Sequence, residues 1–231
     1  WSDMAYALMP NGRTLDTTVT SAADDLSPIG VWKQSIDSGL FLVGDMKGYY
    51  APPDVDPQAD VRSWFAIMGA GDPYHETEAG FISGQVARFH SPYYLLAGAY
   101  GVQQQAPAPL LIAAGFTDDV FPVDEALRYY NLQRELYPRS PIALFLYAGG
   151  HQRAQNKPAD GEALHDRIKS FFEHYLRGMG DEPESIVTAR SQTCPETEPS
   201  GGPYEADSWQ ALHPGEVRFA SKPSQTIHSD A

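Results

Sequence analysis

Residues 109–115, Pro-Leu-Leu-Ile-Ala-Ala-Gly, and residues 141–151, Pro-Ile-Ala-Leu-Phe-Leu-Tyr-Ala-Gly-Gly-His, decide the fold. Each opens on proline, runs apolar without a break and stops at glycine. A strand with one wet face alternates polar and apolar side chains, so two unbroken runs predict strands covered on both faces. Between them the spacing predicts a helix from about Pro122 to Tyr137, with Ala126, Tyr130 and Tyr137 on one side. Proline at its start suits the first helical position, where a missing N–H costs nothing. After the second run Leu164, Ile168, Phe171 and Tyr175 fall at helical spacing, which predicts a helix over about 160–177 with Gly178 as its C-cap. Strand, helix, strand, helix with short connections is the pattern of a parallel α/β sheet with right-handed crossovers.

Upstream, the pattern is helical. Ile29, Trp32, Ile36, Leu40 and Val43 share a face before Pro52-Pro53. Val61, Trp64, Phe65 and Met68 predict a short helix closed by Gly69 and Gly71, and Ala79, Ile82, Val86 and His90 predict another before Ser91-Pro92. Downstream, residues 181–203 are rich in Glu, Pro, Ser and Gly and read as a linker, with a β-rich element expected at Glu216-Val217-Arg218-Phe219. No internal repeat occurs. The chain opens at Trp1 with its first Met at Met4 and ends in a polar stretch, so a segment of a longer protein is expected.

With 30 acidic against 16 basic residues in 231, the formal charge is −14, which argues against a phosphate-backbone partner. No apolar run reaches the ~18 residues that would span a bilayer, so no membrane partner is expected. A single cysteine, Cys194, excludes a disulfide framework and any cysteine-based zinc cluster. Asp54, Asp56 and Asp60 lack the turn glycine of a calcium loop, and Pro57 interrupts them. A solvated acidic loop is expected there, with no metal.

Ligands bind an open parallel sheet at the carboxyl ends of its strands. Gly115-Phe116-Thr117-Asp118-Asp119-Val120-Phe121-Pro122 follows the first run and Gly149-Gly150-His151 the second. A carboxylate and an imidazole on adjacent strand ends can meet across the rim. The acid then accepts Nδ1–H of His151, fixes its tautomer and stabilises the imidazolium. Asp118 is the first candidate for the acid and Asp119 the second. The bland readings are a capping role for Asp118 at the following helix and an ordinary loop position for His151. His75 and His90 read as structural or surface residues, His165 and His174 lie nine apart and do not share a face at ligand spacing, and His213 and His228 fall in the tail.

Gly115, Asp118 and Pro122, followed one βα unit later by Gly149-Gly150-His151, resemble the acid and histidine loops of the α/β-hydrolase superfamily, whose triad order is Ser, Asp or Glu, then His. Trp1-Ser2-Asp3-Met4-Ala5-Tyr6-Ala7-Leu8 with Pro10-Asn11-Gly12-Arg13 is similar to a stretch of the cocaine esterase and Xaa-Pro dipeptidyl-peptidase group. The resemblance implies the C-terminal part of an α/β-hydrolase sheet with an inserted helical cap and the start of a β-rich, jelly-roll-like domain. The division is then 1–19 for the end of the N-terminal hydrolase part, 20–105 for the cap, 106–180 for the part with acid and histidine, and 181–231 for linker and β-rich start.

It further implies a serine hydrolase acting on a small-molecule ester or peptide, with Asp118 and His151 as catalytic residues and no cofactor. The nucleophile elbow Gly-x-Ser-x-Gly is absent from all 231 residues, and Ser35, Ser38 and Ser83 fall in the cap. In the family the nucleophile lies upstream of the Trp1 stretch, so these residues alone are expected to be inactive. Two other readings are a non-catalytic binding module, and an α/β enzyme that pairs Asp118 and His151 with a residue other than serine. Trp32, Tyr49, Tyr50, Trp64, Phe65, Tyr93 and Tyr94 are expected to be mostly cap core, with one or two lining a substrate pocket.

Overall fold

A computed structural model of the chain describes residues 33–52, 55–56, 59–70, 76–99, 101–151 and 156–215. Within them the protein is mixed α/β, with seven helices and a four-stranded mixed sheet. Four helices come first: α1 (Gln34–Lys47), α2 (Val61–Gly69), α3 (Glu76–His90) and α4 (Pro92–Ala97). Strand β1 (Leu110–Gly115), helix α5 (Val123–Leu136), strand β2 (Ile142–Tyr147) and helix α6 (Pro158–Tyr175) follow. Strands β3 (Val187–Ser191) and β4 (Gly201–Ala206) and the short helix α7 (Trp209–Leu212) complete the order.

The sheet order is β1-β2-β3-β4. Strands β1 and β2 pair parallel from Leu110 opposite Ile142 to Gly115 opposite Tyr147, so their carboxyl ends finish level. Strand β3 is parallel to β2, and β4 turns back antiparallel on β3. Ile142, Leu144, Leu146, Val187 and Ala189 form one core with Ala126, Leu127 and Tyr130 of α5. Helix α5 has a second apolar face: Leu132 packs with Ala87, Tyr93, Tyr94 and Leu96, which joins the helical layer to the sheet. Arg128 of α5, itself buried, lies with its guanidinium 4.6 Å from the centre of the Tyr93 ring, a cation–π contact across the same junction.

Several expectations change. The run at 110–115 is a strand, but it is not buried on both faces: most of it is half-buried and Ala113 is exposed. Its outer side pairs with no strand among the described residues. Strand β2, between two neighbours, is covered as expected. The apolar stripe of α6 is likewise only partly covered, with Ile168 and Phe172 exposed. Residues 181–203, expected as a linker, instead carry β3 and the start of β4 in the same sheet. Short strands, with Pro203 tolerated where β4 pairs on one side only, hid behind a composition typical of loops. Proline 122 stands one place earlier than expected, at the N-cap of α5. Residues 216–219 and the Trp1 stretch lie outside the described residues.

No helix among the described residues is long and apolar enough to cross a membrane.

Candidate active site

The acid and histidine loops leave level strand ends and lie directly against each other. Phe116 N donates to Tyr147 O at 2.9 Å, and Thr117 reaches Gly149 O with both its N–H at 3.2 Å and its Oγ1 at 3.1 Å. Glycine is required here for close approach, since neither Gly115 nor Gly150 has a positive φ. A Cβ on Gly115 would overlap the Gly149 carbonyl, and one on Gly150 would stand 2.5 Å from Cα of Asp118. Close approach of the two loops, not a left-handed turn, is therefore what requires glycine at these positions.

Asp118 Oδ1 accepts the backbone N–H groups of Val120 and Phe121, both at 2.9 Å, which curls the loop and fixes the carboxylate. Both carboxylate oxygens then lie 2.9 Å from Nδ1 of His151. A carboxylate only accepts, so Nδ1 carries the hydrogen and Nε2 is left as the basic nitrogen. Burial works against the Asp118 charge. The N–H groups of Phe121 and Val120 and the His151 ring outweigh it and hold the carboxyl below its ordinary range. The capping reading of Asp118 does not hold, since the N-cap of α5 is Pro122 with no side-chain cap; one Asp118 oxygen serves the turn before that helix while the carboxylate faces the imidazole. Asp118, not Asp119, is the residue that meets His151.

The His151 side chain is 49% exposed and that of Asp118 12%, so the pair is rooted in the loops but open at the imidazole. The ring packs against Phe121, with centroids 5.5 Å apart, and borders a cleft of about 460 Å³. Phe121, Pro122, Tyr129, Pro92 and the length of β1 line this cleft with His151. Burial raises the Tyr129 phenol above its usual range, which keeps it a neutral hydroxyl.

None of the described aromatics singled out from the sequence lines that cleft. Tyr93 and Tyr94 are core, Phe65 stacks on Phe41 at 4.0 Å, Tyr50 stacks on Phe41, and Trp64 meets Phe81 edge-on. Trp32 lies outside the described residues. The lining comes instead from Phe121 and Tyr129, whose positions just after the acid loop and on its helix were the available signal. Ser35 and Ser38 sit on α1 and Ser83 on α3, none of them on a strand-to-helix turn.

Sequence reading also missed Asn156, whose amide accepts from Gly150 N at 2.8 Å and donates to His151 O at 3.3 Å. An asparagine five residues after Gly-Gly-His and two before the helix-starting Pro158 was the signal. His90, His165, His174 and His213 do not line the cleft beside His151, and His174 and His213 make ring contacts with Tyr175 and Trp209. Asp60 caps α2 by accepting from Ser63 N. Among the described residues no three His, Cys, Asp or Glu side chains are grouped to hold a metal ion. In comparisons with known proteins, no family model, no curated protein and no solved structure gives a significant match to the chain.

Proposed function

We propose that the chain is the cap and C-terminal catalytic half of a serine hydrolase of the α/β-hydrolase fold, with Asp118 and His151 as acid and base of its triad. The observation that carries the reading is the 2.9 Å contact between Asp118 and His151 at level ends of adjacent parallel strands, in the order acid then histidine. The half-bare outer side of β1 and the partly covered stripe of α6 support it, because both suit a sheet that continues past β1. In this reading the four helices before β1 belong to the cap.

The chemistry follows from the pair. A serine outside these 231 residues attacks the carbonyl of an ester or amide. Nε2 of His151, left bare by the Asp118 contact, takes the serine proton and later delivers it to the leaving group. Asp118 keeps the ring in that tautomer and offsets the positive charge it gains. Water repeats the cycle on the acyl-enzyme. Oxyanion donors also come from outside this chain, and no metal or organic cofactor is needed for these steps. The substrate is a small ester or peptide of the esterase or Xaa-Pro dipeptidyl-peptidase kind, held beside Nε2 of His151 at the carboxyl ends of the strands.

The absence of Gly-x-Ser-x-Gly favours one second reading, a binding module that keeps the sheet and the pair without the reaction. Labelling of the full-length protein by a fluorophosphonate separates them. The hydrolase reading expects covalent labelling of one serine, lost on His151→Ala. A protein that takes no label is not a serine hydrolase, which leaves the binding module or an enzyme that pairs Asp118 and His151 with another nucleophile.

A further inference from the structure

His151 is half-exposed at the end of a loop, so its ring stays on Asp118 only if its backbone is held. Asp118 fixes the ring from one side. The backbone is held from two others. Thr117 grips Gly149 O through its N–H and Oγ1. Asn156 brackets His151 itself: Oδ1 accepts from Gly150 N at 2.8 Å and Nδ2 donates to His151 O at 3.3 Å. The amide has one orientation here, because a backbone N–H can only donate and a carbonyl only accept. A Cβ on Gly149 would overlap the Tyr147 ring and stand 2.7 Å from Asn156 Oδ1, so that glycine makes room for both the ring and the amide.

Asn156 is itself anchored. The next residue, Lys157, is buried and its Nζ donates to Thr193 O, Thr193 Oγ1 and Glu198 O in the connection between β3 and β4. The clamp therefore ties the histidine loop to the far side of the sheet.

We propose that Asn156 is a positioning residue which, through the backbone of Gly150 and His151, holds the imidazole on Asp118 with Nε2 free. The proposal rests on the reading of His151 as the base. Asn156 acts on the reaction only through His151.

The test reads the His151 tautomer by side-chain nitrogen-15 NMR of the full chain at alkaline pH. A free imidazole prefers hydrogen on Nε2, so an Nδ1–H majority reports the seat on Asp118. Wild type is expected to show that majority, and Asp118→Ala to lose it. Asn156→Ala is expected to move at least half of the population to Nε2–H. Asn156→Asp keeps the acceptor for Gly150 N and should stay nearer wild type. If Asp118→Ala shifts the tautomer and Asn156→Ala does not, the positioning role is overturned while the acid–base pair stands. If Asp118→Ala leaves the tautomer unchanged, the pair fails and the proposal with it. Should Asn156→Ala fail to fold, amide exchange of Gly150 in the wild type decides: slowing of tenfold or more is expected, and exchange at the rate of an open loop overturns the clamp.

Discussion

Gly150 and Asp118 approach so closely that a side-chain carbon on the glycine would stand 2.5 Å from Cα of the aspartate. The two loops touch backbone to backbone at the point where the carboxylate meets the imidazole. Position of the pair is thus a consequence of main-chain packing, which a side chain on either loop would break.

Gly150→Ala should therefore push the loops apart. Overpacking of this kind costs about 1–3 kcal/mol, read as a lower urea midpoint, together with a weakened contact between Asp118 and His151. Gly161, on α6, has nothing within 4 Å of its added carbon. Gly161→Ala should instead stabilise by about 0.5–1 kcal/mol, since alanine loses less chain entropy in a helix. Equal effects at the two sites would contradict the close-approach account.

The Asp118 carboxyl is held below its ordinary range: the N–H groups of Phe121 and Val120 and the His151 ring outweigh its burial. A carboxyl depressed in the folded state adds stability above its unfolded pKa, about 3.9, and loses it as pH falls through the folded value. The destabilisation caused by Asp118→Asn should accordingly be full at pH 5 and shrink as the pH drops below about 4. Urea unfolding of both proteins across that range is the check, and a difference that stays constant to the acid end would contradict it.

Asp160 is fully buried at the start of α6 and accepts from Arg190 Nε at 2.7 Å, Ser200 Oγ at 2.7 Å and Ala148 N at 3.3 Å. One carboxylate so joins β2, β3 and β4 just below the histidine loop. Removing one partner of a buried pair leaves the others unsatisfied, so Asp160→Ala should cost about 3 kcal/mol or more. Arg62 and Asp45 form a pair at 2.8 Å that is open to water, and Asp45→Ala should cost about 1 kcal/mol or less. Denaturant midpoints of the two variants check the contrast.

Much of this was written in residue order. The unbroken run at Ile142 to Tyr147 predicts a covered strand and is one, and the spacing of Leu164, Ile168, Phe171 and Tyr175 marks a helix that forms. Asp118 and His151 were legible because strand ends in a parallel sheet converge, and the structure brings them to 2.9 Å. The coverage of β1 was not legible, because composition reports what a strand is suited to meet and not which neighbours are at hand. Strands β3 and β4 were missed because Gly201, Gly202 and Pro203 carry the signal of a turn while the ladder to β3 sets their conformation. Asn156 was passed over because its bonds go to backbone, which leaves only its place between Gly-Gly-His and the helix-starting Pro158 as a sign.

The most direct test of the central claim is hydrolysis of a simple activated ester by the full-length protein, compared with His151→Ala and Asp118→Asn. If His151 is the base, kcat should fall by about 10⁴-fold or more in His151→Ala and by about 10³–10⁴-fold in Asp118→Asn, with KM little changed. Retention of activity within tenfold of wild type in His151→Ala would contradict the assignment of this pair.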